Sequence, residues 1–153
     1  SDLTRAFAEI SRVTRERFVA LTWNPAAAPF WLTRDYFPEI HAMDLAIFPA
    51  LEEVKAAFDE VKIHPLPIPA DCQDGFLAAF WKRPSAYLDP EVRRSISAFA
   101  KLDHIEDGLE KLAAHLRNGI WEKQNRDILG QSELNAGYAI VTARIRKDAH
   151  LGE

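Results

Sequence analysis

The sequence predicts an α/β domain in which three strands are separated by helices. Two strands have clear patterns: an apolar run from Arg17 to Trp23, and a stretch from Gly137 to Ile145 in which Ala139, Val141 and Ala143 occupy alternate positions. Apolar residues recur at helical spacing between these strands. The 153 residues, 48% apolar and 27% charged, have the composition of a globular protein, so we expect one domain over residues 1–153.

The first elements are a helix followed by a strand. Leu3, Phe7 and Ile10 recur at helical spacing and predict a helix from Asp2 to Arg12. The run from Arg17 to Trp23 is apolar almost throughout, which predicts a parallel strand buried on both faces. The segment 25–38 contains three prolines and four aromatic residues, which predicts one short helix between turns.

A helix and a proline-rich strand come next. Pro49 suits the first turn of a helix, which we predict to extend to Phe58 because Leu51, Val54 and Phe58 share one face. The segment from Glu60 to Pro69 alternates apolar and polar residues, but prolines interrupt its later half. We therefore expect a strand near the margin of the sheet.

Three further helices are predicted before the last strand. The first covers Asp71 to Arg83. The second begins at Asp89, whose side chain suits a helix cap, and carries Val92, Ile96 and Phe99. The third runs from Asp103 to a stop at Gly119.

Charge and composition exclude several classes of function. Nineteen Lys and Arg residues and twenty-three Asp and Glu residues give a net charge of −4, with both signs scattered, so we expect no nucleic-acid partner. No apolar run approaches the length of a membrane span, so we expect no membrane association. We also expect no secretory leader. Cys72 is the single cysteine, which favours a reducing, cytoplasmic location.

Glycine and histidine spacing exclude two kinds of site. The six glycines are never closer together than seven residues, so the chain has no glycine-rich phosphate or dinucleotide loop. The five histidines show no metal-binding spacing, and we expect no metal site.

Aromatic residues follow the first and second strands, and they indicate a pocket. The ends of strands in an open α/β sheet are where ligands bind, so these rings and the nearby polar groups are candidates for an apolar pocket with a polar mouth. The alternative for each ring is core packing. Asp71 or Asp74 is either a general base or a helix cap, and Cys72 is either a nucleophile or a small, half-buried residue.

Several segments resemble one family. The chain is similar to the C-terminal half of class I S-adenosylmethionine-dependent methyltransferases of the type 11 kind. The approach to the first strand, Arg12-Val13-Thr14-Arg15 and then Arg17 to Thr22, resembles that family's run into its fifth strand. The other segments are Trp23-Asn24-Pro25, Phe30-Trp31, Tyr36-Phe37-Pro38, Pro67 to Phe76, Trp81-Lys82-Arg83-Pro84 and Tyr87-Leu88-Asp89-Pro90.

The resemblance implies a fold and a missing part. It implies the last three strands of a Rossmann-like methyltransferase sheet, with the final strand antiparallel between the other two, and several covering helices. The family's glycine-rich cofactor loop and its first four strands have no counterpart here. The complete enzyme would therefore use S-adenosylmethionine, and this chain alone is expected to bind no cofactor.

The resemblance also implies a role for the chain. It would form the acceptor side of an enzyme acting on a small molecule, with the catalytic residues unassigned. The alternative is a non-enzymatic domain that binds a small molecule or dimerises. The expected partner is either the missing N-terminal half or a second copy, because the Arg17 to Trp23 edge and the helix residues Leu3, Phe7 and Ile10 would be uncovered. The expected acceptor-binding residues are Trp23, Asn24, Phe30, Trp31, Tyr36, Asp71, Cys72 and Phe76.

Overall fold

A computed structural model describes residues 2–145 of the chain. These residues form two compact units, one containing residues 2–26, 47–66 and 137–145, the other residues 27–46 and 67–136. We call them unit 1 and unit 2 and describe each by itself. The prediction of a single domain stays a prediction.

Unit 1 contains a three-stranded sheet and two main helices. Its elements are α1 (Asp2–Val13), β1 (Arg17–Trp23), α4 (Leu51–Ala57), β2 (Asp59–Pro65) and β5 (Tyr138–Arg144). The strand order is β1-β5-β2, and β5 is antiparallel to both neighbours. The last strand therefore lies in the middle of the sheet, and β1 and β2 have the same direction. All three strands were predicted from alternation or apolar runs, within two residues at the start of each strand.

One face of this sheet forms the core of unit 1. Val141 and Ala143 of β5 pack there with Val54 and Phe58, and partly buried hydrophobic side chains from α1, among them Phe7, pack against this group. The Phe58 ring meets Phe7 at 5.2 Å and Phe18 at 4.6 Å between centroids, both edge to face. The expectation that Phe7 and Ile10 would be uncovered is wrong, because α1 turns these side chains onto the sheet.

The opposite face of the sheet is open at β1. Val19 is 70% exposed and Leu21 is 65% exposed. The prediction that β1 is buried on both faces is therefore wrong. The register places Val19 beside Thr142 and Leu21 beside Ile140 on this face. We call the surface of Val19, Leu21, Ile140 and Thr142 the open sheet face.

The prolines end β2 as the sequence predicts. Beyond Pro65, Leu66 still donates its backbone N–H to Tyr138 O at 2.8 Å. The chain then forms β3 (Ile68–Pro69), which pairs with β4 (Glu133–Leu134) in a separate two-stranded sheet of unit 2. β3 falls within the strand predicted from Glu60 to Pro69, whereas β4 was not predicted, because two residues are too short to produce an alternating pattern.

Unit 2 is mainly short helices and turns. Its elements besides β3 and β4 are α2 (Trp31–Asp35), α3 (Pro38–Ile47, whose last residue groups with unit 1), a 3₁₀ helix (Pro84–Leu88), α5 (Pro90–Arg94), a second 3₁₀ helix (Phe99–Lys101), α6 (Glu106–Arg117), α7 (Ile120–Gln124) and α8 (Arg126–Leu129). The sequence predicted α2, α5 and α6 but not α3, α7 or α8.

Two local predictions in unit 2 are confirmed and two are wrong. The Asp89 carboxylate caps α5 by accepting the Glu91 N–H at 2.8 Å, and Gly119 ends α6 with a left-handed φ of 66°. The helix predicted from Asp71 to Arg83 is a series of turns. The helix predicted to reach Phe99 ends at Arg94, because Ser95 Oγ and N both bond back to Val92 O.

None of the helices within residues 2–145 is both long enough and apolar enough to cross a lipid bilayer.

Candidate functional site

An aromatic cluster surrounds Trp31 in unit 2. We use this name for Phe30, Trp31, Tyr36, Tyr87 and Trp121. The Trp31 ring lies 5.1 Å from Phe30, 6.0 Å from Tyr36, 5.6 Å from Tyr87 and 5.2 Å from Trp121, measured between centroids. All five side chains are buried. Edge-to-face packing of this kind stabilises a core beyond the area that it buries.

Indole hydrogen bonds fix Trp31 and the neighbouring Trp81, but not Trp121. Trp31 Nε1 donates to Trp81 O at 3.0 Å, and Trp81 Nε1 donates to Ile68 O at 2.9 Å. Trp121 Nε1 is buried and has no acceptor among the described residues. The rings therefore pack the helices of unit 2 together, and a binding role for Phe30, Trp31 and Tyr36 stays a prediction.

Helix α2 positions Trp31 in the cluster, and Phe30 immediately precedes this helix. Phe30 has extended backbone angles, and its carbonyl accepts both the Arg34 N–H at 2.8 Å and the Thr33 hydroxyl at 3.0 Å. These bonds close the first turn of α2. Trp31 then points into the cluster, while Arg34 lies one turn later and is exposed.

Tyr36 is hydrogen-bonded to a histidine on α6. Its Oη lies 2.9 Å from His115 Nδ1, and the Lys111 ammonium lies 5.6 Å from the centre of its ring. Burial, with a smaller contribution from the Asp35 charge, raises the pKa of Tyr36 to about 12. The phenol is therefore neutral at physiological pH.

A cleft of about 230 Å³ borders the cluster on the side of Phe30 and Trp31. We call it the Phe30 cleft. Buried Ile128 and Ala136 and half-buried Leu134 supply much of its apolar wall. Polar side chains of α2, α7, α8 and the segment before β5 also line it. The lining residues are Ala28, Pro29, Phe30, Trp31, Arg34, Gln124, Asn125, Asp127, Ile128, Leu134, Asn135 and Ala136.

Charges and amides in the Phe30 cleft have a defined arrangement. The Arg34 guanidinium binds the Asp35 carboxylate through two hydrogen bonds, Nε to Oδ1 at 2.8 Å and Nη2 to Oδ2 at 2.7 Å. This bond to Asp35 is the main reason why the pKa of Arg34 is raised, and the Asp127 charge raises it further. Asn125 is 3% exposed, and its Nδ2 donates to Trp121 O at 2.9 Å.

The predicted residues Asp71, Cys72 and Phe76 lie in the turns that follow β3. Cys72 is half-buried, and its carbonyl accepts a hydrogen bond from Arg83 Nη2. Asp71 is exposed, and Phe76 is half-buried. Because no helix follows Asp71, the alternative role of this residue as a helix cap is wrong.

The predicted residues Trp23 and Asn24 lie in unit 1, at the end of β1. The Trp23 ring contacts Phe48 edge to face at 5.9 Å. Asn24 donates its backbone N–H to Gly137 O at 2.9 Å, and its Oδ1 accepts the Ala26 N–H at 3.0 Å. Asn24 therefore closes a turn. Of the eight predicted residues, the structure brings Phe30 and Tyr36 into contact with Trp31.

Sequence analysis missed the polar lining of the Phe30 cleft. Arg34 is separated from Asn125 and Asp127 by about ninety residues, and no motif links them. The signal that was present is the aromatic pair Phe30-Trp31, which identified one wall. Within residues 2–145, no three His, Cys, Asp or Glu side chains are grouped so that they could hold a metal ion.

Comparison with solved structures finds a similar protein from Anabaena variabilis ATCC 29413. It is described as a "putative methyltransferase from antibiotic biosynthesis pathway" and is 36% identical to this chain, with a TM-score of 0.82. The match covers 94% of this chain and 61% of that protein, so this chain spans less than two thirds of its length. No protein-family model and no curated protein matches the sequence. The chain therefore has a methyltransferase-like fold.

Proposed function

We propose that this chain is the acceptor-binding, C-terminal portion of an S-adenosylmethionine-dependent methyltransferase that acts on a small molecule. The observation that carries the proposal is the match to a methyltransferase-like structure over 94% of this chain but only 61% of the other. The sheet order supports it, because β5 is antiparallel between β1 and β2. That is the arrangement that the type 11 resemblance implies for the last three strands of a Rossmann-like sheet.

The open sheet face also supports a missing partner. The outer edge of β1 pairs with no strand among the described residues, and Val19 and Leu21 beside it are largely exposed. An apolar strand with an open edge favours pairing with another strand. In a longer methyltransferase sheet a fourth strand and its helices would cover this edge and this face.

The described residues do not fit S-adenosylmethionine. A cofactor cradle needs closely spaced glycines at a strand-to-helix turn. In the described part of the chain, Gly108 packs inside α6 against Phe37, Gly119 ends α6, and a Cβ on Gly75 would lie 2.5 Å from Ser95 Cβ. The cofactor site of the proposed enzyme is therefore assigned to sequence outside this chain.

The proposed contribution of this chain is to bind and orient the acceptor. Methyl transfer needs the sulfonium methyl and the acceptor atom in line, so a rigid acceptor site raises the rate by positioning alone. Within unit 2, the Phe30 cleft offers apolar walls and directed polar groups close to the predicted residues Phe30, Trp31 and Tyr36. Trp23, Asn24, Asp71, Cys72 and Phe76 remain proposed acceptor-side residues.

Calorimetry with S-adenosylmethionine tests the proposal. The product of the whole reading frame that encodes this sequence is expected to bind the cofactor saturably at micromolar concentration, and this chain alone is expected to give no saturable heat. If the whole product fails to bind the cofactor, a non-enzymatic binding or dimerisation role replaces the proposal. Micromolar binding by this chain alone would contradict the assignment of the cofactor site to other sequence.

A further inference from the structure

We propose that the Phe30 cleft is a binding site for a small organic amine in its cationic form. Under the proposed function this amine is the group by which the acceptor is held. The binding itself does not depend on methyl transfer. The proposal rests on the unpartnered polar groups in the cleft, on its net charge and on its size.

Two of the polar groups left unpartnered in the cleft are hydrogen-bond acceptors. The side chain of Asn125 is almost fully buried, and its Nδ2 is held by Trp121 O. This bond fixes the orientation of the amide, and Asn125 Oδ1 has no donor among the described residues. The Asp127 carboxylate also has no donor there, because only the backbone carbonyl of Asp127 is bound, by Gln131 Nε2 at 3.2 Å. Two unpartnered acceptors favour a ligand with several N–H donors.

The charge near the cleft favours a cation. Arg34 supplies one positive charge, but its Nε and Nη2 are both bound by the Asp35 carboxylate. Asp127 supplies a second negative charge close enough to raise the pKa of Arg34. Asp35 does not line the cleft but binds Arg34, so Arg34, Asp35 and Asp127 together carry a net charge of −1, and Asp127 is the carboxylate of the three that no cation binds. An anionic ligand would meet this carboxylate, while two of the three guanidinium nitrogens of Arg34 are already bound to Asp35.

The size and walls of the cleft limit the rest of the ligand. A volume of about 230 Å³ lies below the roughly 300–1,000 Å³ of sites for drug-sized ligands, which suits a molecule with one ring rather than a nucleotide. Phe30, Ile128 and Ala136 form apolar wall beside the polar groups. An aromatic side chain beside a cation adds a favourable interaction. The matching chemistry is a protonated amine attached to a compact apolar body.

The test uses three probes of the same shape and different charge: benzylamine, benzyl alcohol and benzoate. Their dissociation constants are measured on this chain by ligand-observed NMR at low salt. The variants are Asp127→Asn and, as a matched control, Asp107→Asn. Both aspartates are exposed and lie in the first turn of a helix, α8 and α6 respectively, so both changes remove the same kind of helix-terminal charge.

The expected result is that benzylamine binds most tightly and that Asp127→Asn weakens it about tenfold, as the loss of one charge-assisted hydrogen bond would. Asp107→Asn should leave the constant unchanged. Equal affinity for the three probes, or equal effects of the two variants, would overturn the proposal. These measurements need no cofactor, so a failure here is distinct from a failure of cofactor binding in the whole product.

Discussion

Replacing Trp31 and Trp121 separately with phenylalanine should give unequal losses of stability. The two indoles touch each other at 5.2 Å and are almost equally buried, 3% and 2% exposed. Each change removes the same volume from the same cluster, so the packing losses are similar. The difference lies in the indole N–H, because Trp31 Nε1 donates to Trp81 O and Trp121 Nε1 has no acceptor among the described residues.

The magnitude follows from the hydrogen bonds. Trp31→Phe leaves the buried Trp81 carbonyl without its indole donor, which costs about 2 kcal/mol beyond the packing loss. Trp121→Phe removes a buried donor that is already unsatisfied, which recovers about 1 kcal/mol. Trp31→Phe should therefore lower the free energy of unfolding by about 3 kcal/mol more than Trp121→Phe.

Urea unfolding of the two variants measures this difference. The slopes with denaturant should match that of the parent chain, so that the midpoints report stability alone. In melting temperature the difference corresponds to roughly 6–12 °C for a chain of this size. Losses that agree within about 0.5 kcal/mol would refute the reasoning, because they would mean that Trp121 Nε1 has an acceptor in solution.

Two further predictions concern unit 2. Gly108→Ala should lower the free energy of unfolding by about 1–3 kcal/mol, because the added Cβ would press on the Phe37 ring and lie 2.7 Å from Tyr36 O. The control is Gly130→Ala, whose added Cβ has open space around it. In the same thermal melts this control should be neutral or slightly stabilising. The stability of the parent chain should fall as the pH rises from 10.0 towards about 12, because Tyr36 ionises at a lower pH in the unfolded chain than in the folded one. Tyr36→Phe should remove this part of the pH dependence of the free energy of unfolding. The same pH dependence in the variant as in the parent chain would contradict the raised pKa of Tyr36.

The strands were predicted well because the alternation of apolar and polar side chains can be read from one strand without knowing which strands pair with it. Ala139, Val141 and Ala143 alternate in sequence, and all three are buried on one face of β5. The apolar run of β1 was less informative. Val19 and Leu21 are as apolar as a strand buried on both faces requires, yet they are exposed. The apolar composition of a strand shows that its side chains are suited to burial, but it does not show whether another segment of the same chain covers them.

The helix predicted from Asp71 to Arg83 is wrong because a local periodic pattern does not reveal hydrogen bonds to other segments. Phe76, Leu77, Phe80 and Trp81 are spaced like one face of a helix. In the structure, successive four-residue turns replace the helix: Ala79 N bonds to Phe76 O and Arg83 N bonds to Phe80 O. The Trp81 indole bonds to Ile68 O, a distant acceptor that periodicity cannot reveal. The lining of the Phe30 cleft could not be predicted for the same reason, because Arg34 and Asn125 line one cleft only in the folded unit.

The open sheet face leads to a last prediction, that this chain alone self-associates. Val19 and Leu21 lie side by side on the same face of an edge strand, and an exposed apolar edge favours pairing with a second copy. Light scattering over a dilution series should therefore show twice the mass of one chain at high concentration. Leu21→Lys should shift the dilution series to the mass of the monomer. Leu45→Lys is the matched control, the same substitution at an exposed leucine of α3 in unit 2, and it should leave the series unchanged. A parent chain that stays monomeric throughout would show that the open face does not pair with itself. In a longer protein a covering segment would occupy the same surface, so the proposed function requires that the whole product does not self-associate in this way. It also requires that Leu21→Lys lower the stability of the whole product, because Leu21 would be buried there.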